Sequence, residues 1–205
     1  MKQIVPYRAL MEQFHAAPPG KLCCITGTSS AVFRLSLSLA SQALLRGVPV
    51  AVVDGSNRFD AYMIAEVARK VAVNSRGAVQ VTPEDLLGRI FVARAFTCYQ
   101  MEATVTERLP AFIRRSGAPV AVIFGLLDTF YDEQAPLFEV RAGVGRIIEA
   151  LRTMKASNIS VLLASKELKL ESKERNRLLP RVKQAMDHVY RLQEAGGNRR
   201  ILSAS

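Results

Sequence analysis

The residues suited to phosphate chemistry lie in one stretch, Lys21-Leu22-Cys23-Cys24-Ile25-Thr26-Gly27-Thr28-Ser29-Ser30-Ala31-Val32-Phe33-Arg34. An apolar strand over residues 22–25 runs into a small polar turn at Gly27, and a helix is expected over residues 31–46. A working phosphate loop has the form G-x-x-x-x-G-K-[ST]: the second glycine curls the backbone, the lysine neutralises phosphate oxygens and the hydroxyl holds Mg²⁺. Here Gly27 keeps the first place, but Val32, Phe33 and Arg34 take the last three. Val32 resists the curl, Phe33 carries no charge and Arg34 cannot ligate a metal. Gly27, Thr28, Ser29, Ser30 and Arg34 are the candidate nucleotide contacts, through free N–H groups at a helix start and one cation. The competing reading is that Phe33 packs where phosphate would sit. No catalytic residue and no metal ligand is assigned, and no cofactor is expected, ATP included.

The elements that position this loop alternate strand and helix. A short amphipathic helix over residues 7–16 ends at Pro18-Pro19-Gly20. Strands are expected at 48–53, 90–95, 120–124 and 159–164, with helices at 59–73, 99–115 and 137–156. Pro110 should kink or split the helix over 99–115. Residues 74–81 read as a loop and 83–87 as a short helical turn. Ala65, Ala68 and Ala72 line one side of their helix, as close packing on a sheet requires. Such alternation implies a parallel sheet covered on both faces. Residues 187–192, Gly196-Gly197-Asn198 and residues 199–202 read as a β-hairpin. A single domain is expected: an N-terminal helix and linker (1–19), a parallel α/β core (20–165), a basic segment (166–185) and the hairpin (186–205).

With 205 residues, 49% of them apolar, the chain can bury a sizeable core. No apolar run reaches the ~18–20 residues of a membrane span and no signal peptide is evident, so a cytoplasmic or nucleoid-associated location and no membrane partner are expected. Three cysteines, two of them adjacent in a core strand, fit buried reduced thiols. The formal net charge of +10 attracts polyanions such as nucleic acid or an acidic protein.

Much of that charge is concentrated after the fifth strand. Lys166, Lys169, Lys173, Arg175, Arg177, Arg181 and Lys183 form a dense set, partly offset by Glu167, Glu171 and Glu174. With Arg199 and Arg200 of the hairpin they are the candidate DNA-binding residues. The basic segment has no aromatic residue for base stacking, so phosphate contacts and low sequence specificity are expected. The alternative is a solvated helical surface on which Glu171 and Arg175 pair at i,i+4.

The ordered set of segments resembles the ATPase core of the RecA/RadA recombinase family. Residues 21–46 carry the strand–loop–helix, Val52-Val53-Asp54-Gly55-Ser56-Asn57-Arg58-Phe59 the second strand's exit, and Ala93-Arg94-Ala95-Phe96, with Gln100 nearby, the third strand. Ala121-Val122-Ile123-Phe124-Gly125 lies where the Walker B strand belongs, and Val161-Leu162-Leu163-Ala164-Ser165-Lys166 where the fifth strand does. The resemblance implies a RecA-like P-loop NTPase core, with a mainly parallel sheet flanked by helices and a C-terminal antiparallel hairpin. It also implies departures: the Walker A lysine and hydroxyl fall on Phe33 and Arg34, the general-base glutamate near Ser56 and the Walker B aspartate on Gly125, with Asp128 three residues on. ATP hydrolysis is therefore not expected. The basic segment falls where the family's second DNA loop emerges. The first DNA loop, near residues 131–143, reads Asp132-Glu133-Gln134-Ala135-Pro136 and is acidic. Phe14-His15-Ala16-Ala17 has the letters of the family's F-x-x-A docking motif, but its place in a helix favours core packing of Phe14. The expected partners are DNA, a recombinase or RecA-like paralogue, or further copies of the chain. A scaffold subunit meeting an acidic protein, and an ATPase completed by a partner, stay open.

Overall fold

Four strands are apolar along nearly their whole length, and a strand buried on both faces needs layers on both sides. These are β1 (Leu22–Gly27), β2 (Val50–Asp54), β4 (Val120–Phe124) and β5 (Ser160–Lys166), all fully buried apart from Lys166. In the computed structural model, which describes residues 4–15, 19–74, 81–195 and 198–203, they form the centre of a seven-stranded sheet. Its order is β3-β2-β4-β5-β1-β6-β7, with β3 at Ile90–Arg94, β6 at His188–Ala195 and β7 at Asn198–Ser203. β1 to β6 run parallel, and β7 returns antiparallel on β6, pairing Leu192 with Ile201. The α/β class, the mainly parallel sheet and the C-terminal hairpin are as the sequence indicates.

Each face has its own apolar core. On one, α2 (Ala31–Leu45) packs Leu37, Ala40 and Leu44 beside Val52, Phe124 and Leu162. Its buried Ser36 and Ser41 donate to the carbonyls of Val32 (2.9 Å) and Leu37 (2.8 Å), which lets hydroxyls sit in this core. α1 (Tyr7–His15) adds Leu10 and Phe14; Phe14 is a core residue. Ala16 and Ala17 of the F-x-x-A letters lie outside the described residues. α3 (Ala61–Asn74) departs from expectation. Only Ile64 and Ala68 are buried, and the helix rests mainly on α2 and on α4 (Pro83–Leu87) rather than on the sheet. Of the expected loop over 74–81, residues 75–80 lie outside the described residues. α4 begins with a reciprocal cap between Thr82 and Asp85.

The opposite face is covered by α5 (Cys98–Ala103), α6 (Leu109–Ser116), α7 (Leu137–Ala156) and α8 (Leu178–Gln184). Pro110 disturbs its helix without ending it: the helical run is unbroken from residue 98 to residue 116. The turn before it, Thr104–Arg108, widens to π geometry, with the Leu109 N–H donating to the Thr104 carbonyl, and this widening accommodates a proline that has no N–H to give. The three cysteines are buried and unbridged, and burial pushes the thiols of Cys23 and Cys24 up to about 12. Among the described residues no helix is long and apolar enough to cross a membrane.

Candidate functional site

Because the strands are parallel, the turns after β1, β2, β3, β4 and β5 all emerge along one edge of the sheet. The turn after β1 carries the phosphate-loop candidates. A Cβ on Gly27 would stand 2.7 Å from the carbonyl oxygen of Leu192, so glycine there serves the close approach of β6. The N–H groups of residues 31–33, at the start of α2, are engaged internally. Ala31 donates to the Ser29 hydroxyl (3.1 Å), Val32 to the Ser29 carbonyl (3.5 Å) and Phe33 to the Ser30 carbonyl (3.1 Å). Thr28 and Ser30 are exposed.

Phe33 is buried and meets Phe124 edge-on, with ring centroids 5.7 Å apart. The Arg58 guanidinium lies over the Phe33 ring, 5.9 Å from the centroid. Arg34, the next residue round the helix, leaves this site altogether. It lines a cleft with Arg200 that Phe33 does not line.

The turn after β2 closes on Asp54. This buried carboxylate accepts from the backbone N–H groups of Ser56 (3.1 Å), Arg58 (2.9 Å) and Phe59 (2.9 Å), and from the Ser56 hydroxyl (3.4 Å). Asp54 is thus a turn-former, and Ser56, where the resemblance puts the general base, is its donor. The turn after β4 begins at Gly125, with φ +58°. A Cβ there would meet the Ser56 Cβ at 2.5 Å and an Asp128 carboxylate oxygen at 2.7 Å, so no side chain fits the Walker B place. One carboxylate oxygen of Asp128 is buried without a hydrogen-bond partner among the described residues. Desolvation pushes its carboxyl up, against the charges of Arg58 and Lys166 and with that of Asp54.

No protein-family model matches the chain, and no curated protein matches it. Among the described residues no group of three or more His, Cys, Asp or Glu side chains converges as a metal site.

The basic segment is not the continuous helical surface its i,i+4 pairing suggests. Lys166 ends β5; residues 167–174 are irregular; a 3₁₀ turn at Arg175–Arg177 then leads into α8. Arg175 must be removed from the DNA-facing set. It is 5% exposed and donates to the carbonyls of Phe130 (2.6 Å) and Ala135 (2.7 Å). Its neighbour Asn176 fastens the loop from the other side. It accepts from the Leu170 N–H (3.0 Å) and donates to the carbonyls of Leu170 (2.8 Å) and Ser172 (3.0 Å). These two residues clamp the loop and leave its long cations outside.

Lys169, Lys173, Arg177 and Arg181 are exposed. Arg177 pairs loosely with Glu174 at 3.4 Å, and Arg181 donates to the Arg141 carbonyl at 3.0 Å. Lys183 is turned inward onto Glu167 at 2.9 Å. Glu167 also pairs with Arg191 (2.8 Å) and accepts from the Thr26 hydroxyl (3.0 Å), so it joins β1, β5, β6 and α8. Burial alone would raise the Glu167 carboxyl. The Lys183 hydrogen bond and charge, the Thr26 hydroxyl and the Arg191 charge together hold it below the usual range. Arg200 is exposed on β7, and Arg199 pairs with Glu194 in the hairpin ladder, its side chain outside the described residues. β7 lies three strand spacings from β5, roughly 14 Å, so the hairpin cations are not part of the same cluster. In the first-loop region, the acidic turn stays short and α7 starts at Leu137. Arg141 and Arg146 on that helix pair with Glu174 and Glu102.

Sequence reading missed the clamp and the Glu167 hub. Nothing in a run of Lys, Arg and Glu marks which member turns inward. The Asp54 turn was more accessible, since Asp followed by Gly-Ser-Asn is turn chemistry.

Proposed function

We propose that this chain is a non-catalytic relative of the RecA/RadA recombinases that binds DNA through its phosphates, or a recombinase partner, in recombination and repair. The observation that carries the reading is the turn after β1: Phe33 buried in contact with Phe124 and Arg58, with the N–H groups of residues 31–33 already bonded. A RecA-like frame with this loop can bind but has no means to turn over ATP, because the Ser56 and Gly125 positions offer neither base nor metal ligand. Lys169, Lys173 and Arg177, held outward by the Arg175–Asn176 clamp, supply the cationic surface. Fluorescence anisotropy with labelled single- and double-stranded DNA, with and without ATP, tests it. The reading predicts binding that ATP does not change and that weakens in a Lys169→Ala, Lys173→Ala, Arg177→Ala variant. No binding even at low salt overturns it.

A second reading, a scaffold subunit for an acidic protein, is favoured by β3. Among the described residues this edge strand pairs only with β2, and Phe91 and Val92 stand exposed on it. Beside it runs a 620 Å³ groove lined by Leu109 and Phe112 and by the cations Arg108 and Arg115. Unpaired strand edges of this kind recruit extended segments. Tight pairing with one protein, abolished by Val92→Lys and accompanied by no DNA binding, would favour this second reading.

A further inference from the structure

A second cavity, of about 470 Å³, opens between the N-terminal segment, the start of α2 and the last two strands. We propose that it binds a small amphiphilic anion: one carboxylate or phosphate head on an apolar body. Its walls come from five parts of the chain, the N-terminal segment among them, with Leu35 of α2, Met63 of α3, Leu192 of β6 and Ile201 of β7 supplying apolar surface. Val5 and Pro6 close the near side. That side is tied down at two points. The Val5 N–H donates to the Ile201 carbonyl at 2.8 Å, and the Tyr7 and Ser38 hydroxyls share a 2.8 Å hydrogen bond. The volume falls within the ~300–1,000 Å³ of small-molecule sites.

The charge of the cleft decides the class of ligand. Arg34 and Arg200 line it, and none of the described lining residues is Asp or Glu. The Arg34 charge reaches the exposed Glu66 carboxyl, which already pairs with Lys70 at 2.7 Å outside the cleft. Two guanidinium groups beside an apolar wall favour an anionic head whose body leaves water, with the head bonded by charge-assisted donors. The inference does not rest on the loop cations Lys169, Lys173 and Arg177 that carry the DNA reading, and it gives Arg200, a DNA candidate in the sequence, a different ligand.

The test uses the whole chain labelled with [¹³C-methyl]methionine, with Met63 assigned through Met63→Leu. Decanoate, decyl phosphate and decyltrimethylammonium are titrated, all below their micelle concentrations. The proposal predicts a saturable shift of the Met63 methyl with decanoate, decyl phosphate or both. Which head binds more tightly identifies the carboxylate or phosphate source. Arg34→Gln and Arg200→Gln should each weaken binding about tenfold, and Arg→Lys less. Three results would overturn it: no saturable Met63 shift with either anion, equal binding of the cationic amphiphile, or unchanged affinity in both Gln variants. If a Gln variant lowers the melting temperature, the comparison of head charges on the unaltered chain decides alone.

Discussion

Phe33 is buried, so a lysine placed there would not make a phosphate site. A charge at 33 would be buried against Phe124 and directly beneath Arg58. Phe33→Lys is therefore expected to destabilise the fold by about 3–5 kcal/mol in urea unfolding and to give no ATP hydrolysis. A stable Phe33→Lys protein with turnover would refute the packing role. Asp128 carries the opposite sign. Desolvation raises its carboxyl above the unfolded value of about 3.9, so the folded state favours the protonated form and stability drops as pH rises through the folded value. Asp128→Asn should melt higher than the parent at pH 7.5, with the gain shrinking towards pH 4. A lower melting temperature at pH 7.5 would show that the carboxylate has a compensating partner. Arg175 is the third residue of this kind. Its two bonds to the Phe130 and Ala135 carbonyls make Arg175→Ala cost about 2–4 kcal/mol, read as a lower midpoint in denaturant. Lys169→Ala, exposed on the same loop, should cost under about 0.5 kcal/mol.

At the scale of elements, the Glu167 hub joins strand ends that sequence alone leaves unconnected. Its carboxyl lies below the ordinary value in the folded chain, so its contribution is present above the unfolded value of about 4.3 and is lost as pH falls through the folded value. Glu167→Gln should lower the melting temperature at pH 7, and the gap to the parent should close below pH ~4. A gap independent of pH would mean that packing, not charge, holds the strand ends together. The strands were legible in the sequence because full burial demands unbroken apolar runs, as in Val120–Phe124. The disturbance at Pro110 and the hairpin were legible from backbone chemistry, but not that the helix continues through the proline. What α3 packs on was not, because Ala65, Ala68 and Ala72 suit a sheet or another helix equally well. The inward turn of Arg175 was illegible for a related reason. Its partners are backbone carbonyls 40 and 45 positions away, and a carbonyl leaves no trace in a side-chain pattern. The candidate phosphate loop was half legible: Phe33 in the sequence stands where a phosphate loop would carry lysine, but only the geometry gave the engaged N–H groups of residues 31–33 and placed Arg34 in a cleft with Arg200.

The whole molecule is an α/β frame with Phe33 buried at the turn after β1 and a cationic loop fastened by Arg175 and Asn176. Its net charge of +10 is a long-range attraction for polyanions, but a field of that kind would act from the whole surface. A clamped loop makes a narrower claim, that a few named cations carry the contact. Salt dependence separates the two, because each phosphate contact contributes about −0.7 to the slope of log K against log salt on single strands and about −0.9 on B-DNA. The measurement to make is that slope for the parent chain and for the Lys169→Ala, Lys173→Ala, Arg177→Ala variant, with and without ATP. The account predicts linear salt dependence, no effect of ATP, and a slope shallower in the variant by about 2–3. A variant slope equal to the parent's, or no binding at about 50 mM salt, would contradict it.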